Sequence, residues 1–286
     1  MGKSTLLNAL LGEPLAITSH HPQTTRDRLC GVVRGEGVEV VLVDTPGIHG
    51  ARTRLGTRMN ALARGSLDAC DAVLLVVELS AKPRPELDRE DRAILDGIPT
   101  RVPVVLVLNK VDRVKPKELL FPVLESLARA RDFAGIFPIS AKRGGGVAEL
   151  GRALQALAPE GEPAFEEDEI TDRPLRFFAS EYVREQILRA TRQEVPHGVA
   201  VTVESYDESR RVPRIALVVH VDKESHKPIV LGRKGARMKE IATLARARFE
   251  ELAGKQVHLE IRVKVTPGWY EDPRLLDELG YGEVAT

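Results

Sequence analysis

Gly2-Lys3-Ser4-Thr5 stands at the head of an amphipathic helix pattern running Lys3–Leu11. A helix N-terminus offers unpaired backbone N–H groups and the positive end of its dipole, so an anion is favoured there. Lys3 brings a cation suited to β- and γ-phosphates, and the Ser4 hydroxyl suits Mg²⁺. The four residues match the second half of the phosphate loop G-x-x-x-x-G-K-[ST]. Met1 takes the last variable position, and the first glycine would lie upstream. Asp44-Thr45-Pro46-Gly47 closes an apolar run, which puts Asp44 at a strand end to hold Mg²⁺ through water and turns the Gly47 N–H toward a terminal phosphate. A plain turn is the competing reading of that tetrapeptide.

Two further stretches suit the recognition of a base. Asn109-Lys110-Val111-Asp112 ends the apolar run 102–109. Asn109 and Asp112 can meet a base edge, and the Asp112 carboxylate accepts from the N1–H and exocyclic amine that guanine presents together. Adenine would leave that carboxylate unpaired, which is a basis for rejecting it. Ser140-Ala141-Lys142 follows the run 135–140, and a backbone N–H near Ala141 can donate to guanine O6. Between the first helix and the next strand lies HPQTTRDR (21–28), whose Thr24 and Thr25 offer hydroxyls to complete a Mg²⁺ shell. Thr25 is the choice, because its position before Arg26-Asp27 resembles the TRD pattern of related GTPases. Position 48, where many GTPases place a water-orienting glutamine, holds Ile48, so hydrolysis would rest on Lys3, Thr25, the Gly47 amide and Mg²⁺.

A second chemistry appears downstream. Gly232-Arg233-Lys234-Gly235 is a G-x-x-G loop with two cations inside it, opening a helix that carries Arg237 and Lys239. The stretch 209–248 holds eleven Lys and Arg against three Asp and Glu, inside a chain balanced at 42 basic and 42 acidic residues. A local basic concentration of this kind is a footprint for phosphate backbones. Ile229, Val230 and Leu231 precede the loop as an apolar wall for bases, or as core.

These residues need a scaffold. Strand patterns at 28–33, 38–44, 71–79, 102–109 and 135–140 alternate with helix patterns at 3–11, 55–66, 86–96, 116–130 and 147–158. The last three strands are apolar throughout, as parallel strands covered on both faces are. This predicts an α/β first domain over 1–158 with a mostly parallel sheet. The acid- and proline-rich stretch 159–173 reads as a linker. Residues 174–286 then give helix, two alternating strands, a short apolar segment, GRKG, a helix and a strand, which is a small α+β domain and the order of a KH module. Cys30 and Cys70 lack metal-ligand spacing and suggest a reducing, cytoplasmic setting. No run approaches ~18 apolar residues, so no segment reads as a transmembrane helix.

The ordered set PQTTR, DTPGIH, NKVD, SAK, VLGRKG and VKVTPGW resembles the Era family, a P-loop GTPase domain followed by a KH domain, over essentially the whole chain. The resemblance implies GTP and GDP binding with Mg²⁺, and GTP hydrolysis. It also implies binding near the 3′ end of small-subunit ribosomal RNA, and a role in processing that RNA and assembling the small ribosomal subunit. It further implies a cytoplasmic monomer partly associated with the inner membrane face. A family asparagine linked to potassium would precede Met1, so K⁺ enters only through the family. The family's first strand and half its phosphate loop are also missing from the front. The expectation is that this chain begins inside its own nucleotide site and binds GTP more weakly than one extended upstream by about a dozen residues. The alternative is an RNA-binding protein with a defective nucleotide site.

Overall fold

The structure is a computed structural model describing residues 1–67, 70–191 and 195–282. They group into two units. The first comprises 1–16, 28–49 and 61–172, and the second comprises 17–27, 50–60 and the chain from Arg173 onward.

In the first unit, α1 (Lys3–Leu11) follows Gly2 and stops at Gly12. β1 (Leu29–Gly35) and β2 (Val38–Asp44) pair antiparallel, because the Glu36-Gly37 connection is too short for a crossover. Next come α2 (Arg54–Gly65), whose first turns count in the second unit, β3 (Val73–Glu78) and α3 (Arg89–Gly97). The carboxylate of Asp88 caps α3 by accepting from the Asp91 N–H. β4 (Val104–Asn109), α4 (Leu120–Ala128), β5 (Gly135–Pro138) and α5 (Val147–Gln155) complete the series.

β3, β4 and β5 form a parallel sheet with β4 at its centre. Val104, Leu106 and Leu108 pack with Leu95 of α3 and Val123 and Leu127 of α4. Val105 and Val107 point the other way, to Leu6 of α1 and Leu150 and Leu154 of α5. Burial on both faces is why β4 has no polar residue before its last, and why alternation is absent there. Among the described residues the β1–β2 hairpin and this sheet are separate, where the sequence pattern predicts one mostly parallel sheet.

Two irregular stretches are held by arginines. The guanidinium of Arg131 donates to the carbonyls of Leu95, Ile98, Pro99 and Val102, closing the turn between α3 and β4. Arg34 donates to the carbonyls of Glu166 and Glu169, and the Val32 N–H reaches Ile170 O at 3.0 Å. The acidic stretch before residue 173 therefore lies along the edge of β1, where its carbonyls supply acceptors.

The second unit contains α6 (Leu175–Ala190), β6 (Val199–Asp207), β7 (Arg214–Val221), α7 (His226–Leu231), α8 (Ala236–Ala253), β8 (His258–Val265) and α9 (Pro273–Glu278). β7 is central, antiparallel to β6 and parallel to β8. The inner face of the sheet, with Val199, Val201, Leu217, Val219 and Val221, is buried, as are Phe178, Tyr182 and Ile187 of α6 and Ile241 and Phe249 of α8. On the opposite side Ala200, Trp269 and Leu276 cluster with Leu55 and Met59 of α2. Arg26 is buried in this unit and donates to the carbonyls of Val199, Pro196 and His197 while lying over the Trp269 ring. The apolar segment read before GRKG is the helix α7, too short for a clear periodicity. Among the described residues no helix is long and apolar enough to cross a membrane.

Candidate nucleotide site and nucleic-acid loop

In the first unit the parallel strands end along one edge, with Glu78 of β3 opposite Asn109 of β4 and Leu108 opposite Pro138. The sequence motifs gather at that edge. Gly2 takes φ +91°, and a Cβ there would lie 2.8 Å from Asn109 Nδ2, so both backbone conformation and space demand glycine. Asn109 is buried and ties three loops together. Its Nδ2 donates to Met1 O at 2.9 Å, and its Oδ1 accepts from the N–H groups of Lys110 (2.8 Å) and Ala141 (3.0 Å). The sequence reading gave Asn109 a base-edge contact. In this structure its amide is spent on holding the Met1-Gly2 segment, NKVD and SAK in one place. The Ala141 N–H, the expected donor to a base oxygen, is likewise directed at Asn109.

Asp112 keeps an open side. Its Oδ1 accepts from the Ser140 hydroxyl at 2.6 Å, and Arg143 stands 3.7 Å from Oδ2. The Ser140 hydrogen bond, with Arg143 in support, holds this carboxyl below the usual aspartate range, so it is an anionic acceptor at neutral pH. Lys142 is exposed. Lys110 has φ +69°, a left-handed conformation unusual outside glycine, and its Nζ lies 2.6 Å from Glu78 Oε1. Glu78 also accepts from Arg113 at 2.9 Å and stands 3.1 Å from the amino group of Met1. Sequence reasoning passed over Glu78, although an acidic residue closing an otherwise apolar parallel strand is itself a signal.

The phosphate end is built from α1 and the end of β2. Ser4 Oγ donates to Asp44 Oδ2 at 2.7 Å, and Asp44 is buried. Lys3 is half-buried; desolvation lowers its pKa against the opposing pull of Asp44 and Asp91. Its ammonium reaches across to the DTPG loop, where a Cβ on Gly47 would lie 3.4 Å from Nζ. Thr5 lies in the first turn of α1, and Thr45 and Pro46 lie between Asp44 and Gly47. Hydroxyl and carboxylate oxygens side by side are the donor set a hard divalent cation takes.

Thr25 falls in the 17–27 segment of the second unit, beside the buried Arg26, whereas Ser4 and Asp44 belong to the first. The Thr24 hydroxyl is engaged locally, 2.6 Å from Ser19 Oγ and donating to the His21 carbonyl.

In the second unit, Gly232 (φ +71°) and Gly235 (φ +78°) bracket Arg233 and Lys234, both exposed, with Lys234 at φ +50°. A Cβ on Gly232 would meet Arg237 Cβ at 2.7 Å. Arg237 donates to the Ile229 carbonyl, which fastens the segment before the loop to the helix after it. Val230 is fully buried and belongs to the core. Ile229 is 41% exposed and Leu231 is intermediate, so the apolar wall consists of the latter two. Lys239 is exposed on the first turn of α8. Among the described residues three non-glycine positions have positive φ, namely Gln23, Lys110 and Lys234. Each lies inside a stretch singled out for its chemistry, as expected where backbone strain is kept for function.

Comparison with known proteins follows the same division. A family model described as "50S ribosome-binding GTPase" matches residues 1–110, and one described as "KH domain" matches 194–270. The chain is 44% identical to GTPase Era of Stenotrophomonas maltophilia (strain K279a), with 98% of this chain and 93% of that protein covered. It is 41% identical to GTPase Era of Coxiella burnetii (strain Dugway 5J108-111), with coverage of 99% and 95%. Among solved structures it is similar to Aquifex aeolicus Era Y63A bound to GDP·AlF4⁻, and to Era in complex with MgGDPNP and nucleotides 1506–1542 of 16S ribosomal RNA. Each has a TM-score of 0.92 and 36% identity, with 98% of this chain and 95% of that chain covered.

Proposed function

This chain belongs to the Era family of GTPases, and from that membership we propose that it binds GTP with Mg²⁺ and hydrolyses it to GDP and phosphate. We further propose that it grips small-subunit ribosomal RNA near the 3′ end and acts in rRNA processing and small-subunit assembly. The observation carrying the nucleotide reading is the convergence on Asn109, which brings the Gly2 loop, NKVD and SAK to one edge of the parallel sheet. Asp112, anionic and steadied by Ser140, reads the guanine edge.

Lys3 places a positive charge where the transferred phosphoryl group becomes more anionic, and the Gly47 amide would donate to the same group. Ser4 and Asp44 would hold Mg²⁺, which would supply further neutralisation of the phosphate oxygens; the family pattern assigns Thr25 a metal-binding role. Ile48 has no group with which to orient water, so turnover without a partner is slow.

The RNA reading is supported by exposed Arg233 and Lys234 in a glycine-bracketed loop at the start of α8, beside the exposed Ile229. The cations and loop amides take the backbone phosphates of unpaired nucleotides, and Ile229 and Leu231 pack on bases. Family likeness extends the reading to a cytoplasmic monomer that contacts the inner membrane face peripherally.

The test changes Arg233 and Lys234 to Asp and measures binding of a fluorescent RNA carrying the 3′ end of small-subunit rRNA over a range of salt. Affinity should fall, and the log–log salt slope should flatten by about 0.7 for each phosphate that the loop no longer neutralises. GTP affinity, measured by calorimetry on the same variant, should not change. RNA affinity and slope equal to those of the parent would refute the loop as the clamp.

A further inference from the structure

Resting on the guanine-nucleotide reading, we propose that Glu78 is a positioning residue for the base, acting through Lys110. Glu78 closes β3 directly opposite Asn109, at the edge where the NKVD turn begins. Its Oε1 takes the Lys110 ammonium at 2.6 Å and the Arg113 guanidinium at 2.9 Å. Lys110 leaves the strand in a left-handed conformation, and the residue after it enters the short turn Val111–Arg113. A lysine with its head tethered has a stem of four methylenes held in one direction. Beside a carboxylate that reads the base edge, such a stem is an apolar strip suited to the flat face of a purine.

The energetic logic is preorganisation. A free lysine has much rotamer freedom to lose when it orders against a ligand. Glu78 takes that loss before the nucleotide arrives, so less remains to be lost on binding. Glu78 itself touches no base-reading group. Asp112 is held independently by Ser140, so Glu78 acts on how long the nucleotide stays and not on which base is chosen.

Dissociation of a fluorescent GDP analogue from the full chain tests this by stopped flow. Glu78→Ala should speed dissociation roughly two- to tenfold, as expected when one rotamer-rich side chain loses its ordering. Glu78→Gln, which keeps an acceptor without the charge, should fall between. In a Lys110→Met background Glu78→Ala should add nothing, and Arg113→Gln alone should leave the rate unchanged. Discrimination against adenine nucleotide should be the same in the Glu78 and Arg113 variants as in the parent. Binding by the unsubstituted chain is measured first, and its absence would overturn the guanine reading itself. If the parent binds and Glu78→Ala leaves the rate unchanged, or accelerates release equally with and without Lys110, the positioning role falls while the guanine reading stands.

Discussion

Lowering the pH from 7 to 5 should destabilise the second unit through one buried histidine. His220 lies on β7, 8% exposed, with its ring nitrogens 3.1 Å from Thr202 Oγ1 and 3.0 Å from Thr266 Oγ1. Burial first, then the charges of Lys264 and Arg262, lower its pKa from 6.5 to about 4. A folded pKa below the unfolded one means that the unfolded chain takes up the proton first. Stability is therefore whole above the unfolded value, declines as pH falls below 6.5, and stops declining below about 4. Between pH 7 and 5 the loss is about 2 kcal/mol, or about 1 M in a urea midpoint for a slope of about 2 kcal/mol/M. The readout is already in place. Trp269 is the chain's single tryptophan, fully buried in the second unit, so its fluorescence reports that unit's unfolding. Asp91, whose pKa burial raises to about 6, has the opposite sign but lies in the first unit. His220→Gln, which keeps a polar group between the two threonines, should remove most of the slope in this window. An equal slope in the variant, or an NMR titration of His220 near 6.5, would refute the reasoning.

Asp112→Asn should shift nucleotide preference from guanine toward xanthine, because an amide presents a donor where the carboxylate accepted; competition calorimetry with GTP and XTP checks it, and undiminished guanine selectivity would remove Asp112 from the site. Arg131→Met should cost the first unit about 1–3 kcal/mol, since four carbonyls between α3 and β4 lose their donor and water replaces it only in part; thermal unfolding by circular dichroism measures it, and a loss below about 0.5 kcal/mol, the usual range of a surface change, would show the cluster to be dispensable.

Where the sequence was legible, one physical signal dominated. β4 has no polar residue before Asn109 because both faces are covered, and the first polar residue marks the edge where the motifs gather. β6 and β7 alternate because their two faces meet different surroundings. The roles of Asn109 and Ala141 were not legible, since whether an amide meets a ligand or a neighbouring loop depends on how three distant turns converge. Arg26 was hidden for a related reason. Nothing local separates a solvated arginine from one whose carbonyl partners lie some 170 residues onward. α9 is a single short helix stabilised by packing of Leu276, with too few turns to show a period.

The chain passes from one unit to the other five times, which bears on its order of synthesis. Arg26, Leu55 and Met59 leave the ribosome early, yet their partners Val199, Trp269 and Leu276 come much later. At the usual pace of translation, roughly two hundred intervening residues amount to about 10–40 s. During that interval the two early segments are looped out of a first unit that is otherwise nearly complete by residue 172. The second unit closes only when Trp269 and Leu276 arrive, and it does so by recapturing chain made much earlier. Loops of that length make its final assembly dominated by distant pairings, the slow regime of folding. A gene fragment starting at residue 173 would deliver the strands and helices of this unit, but without Leu55 and Met59 to cover Trp269 and Ala200.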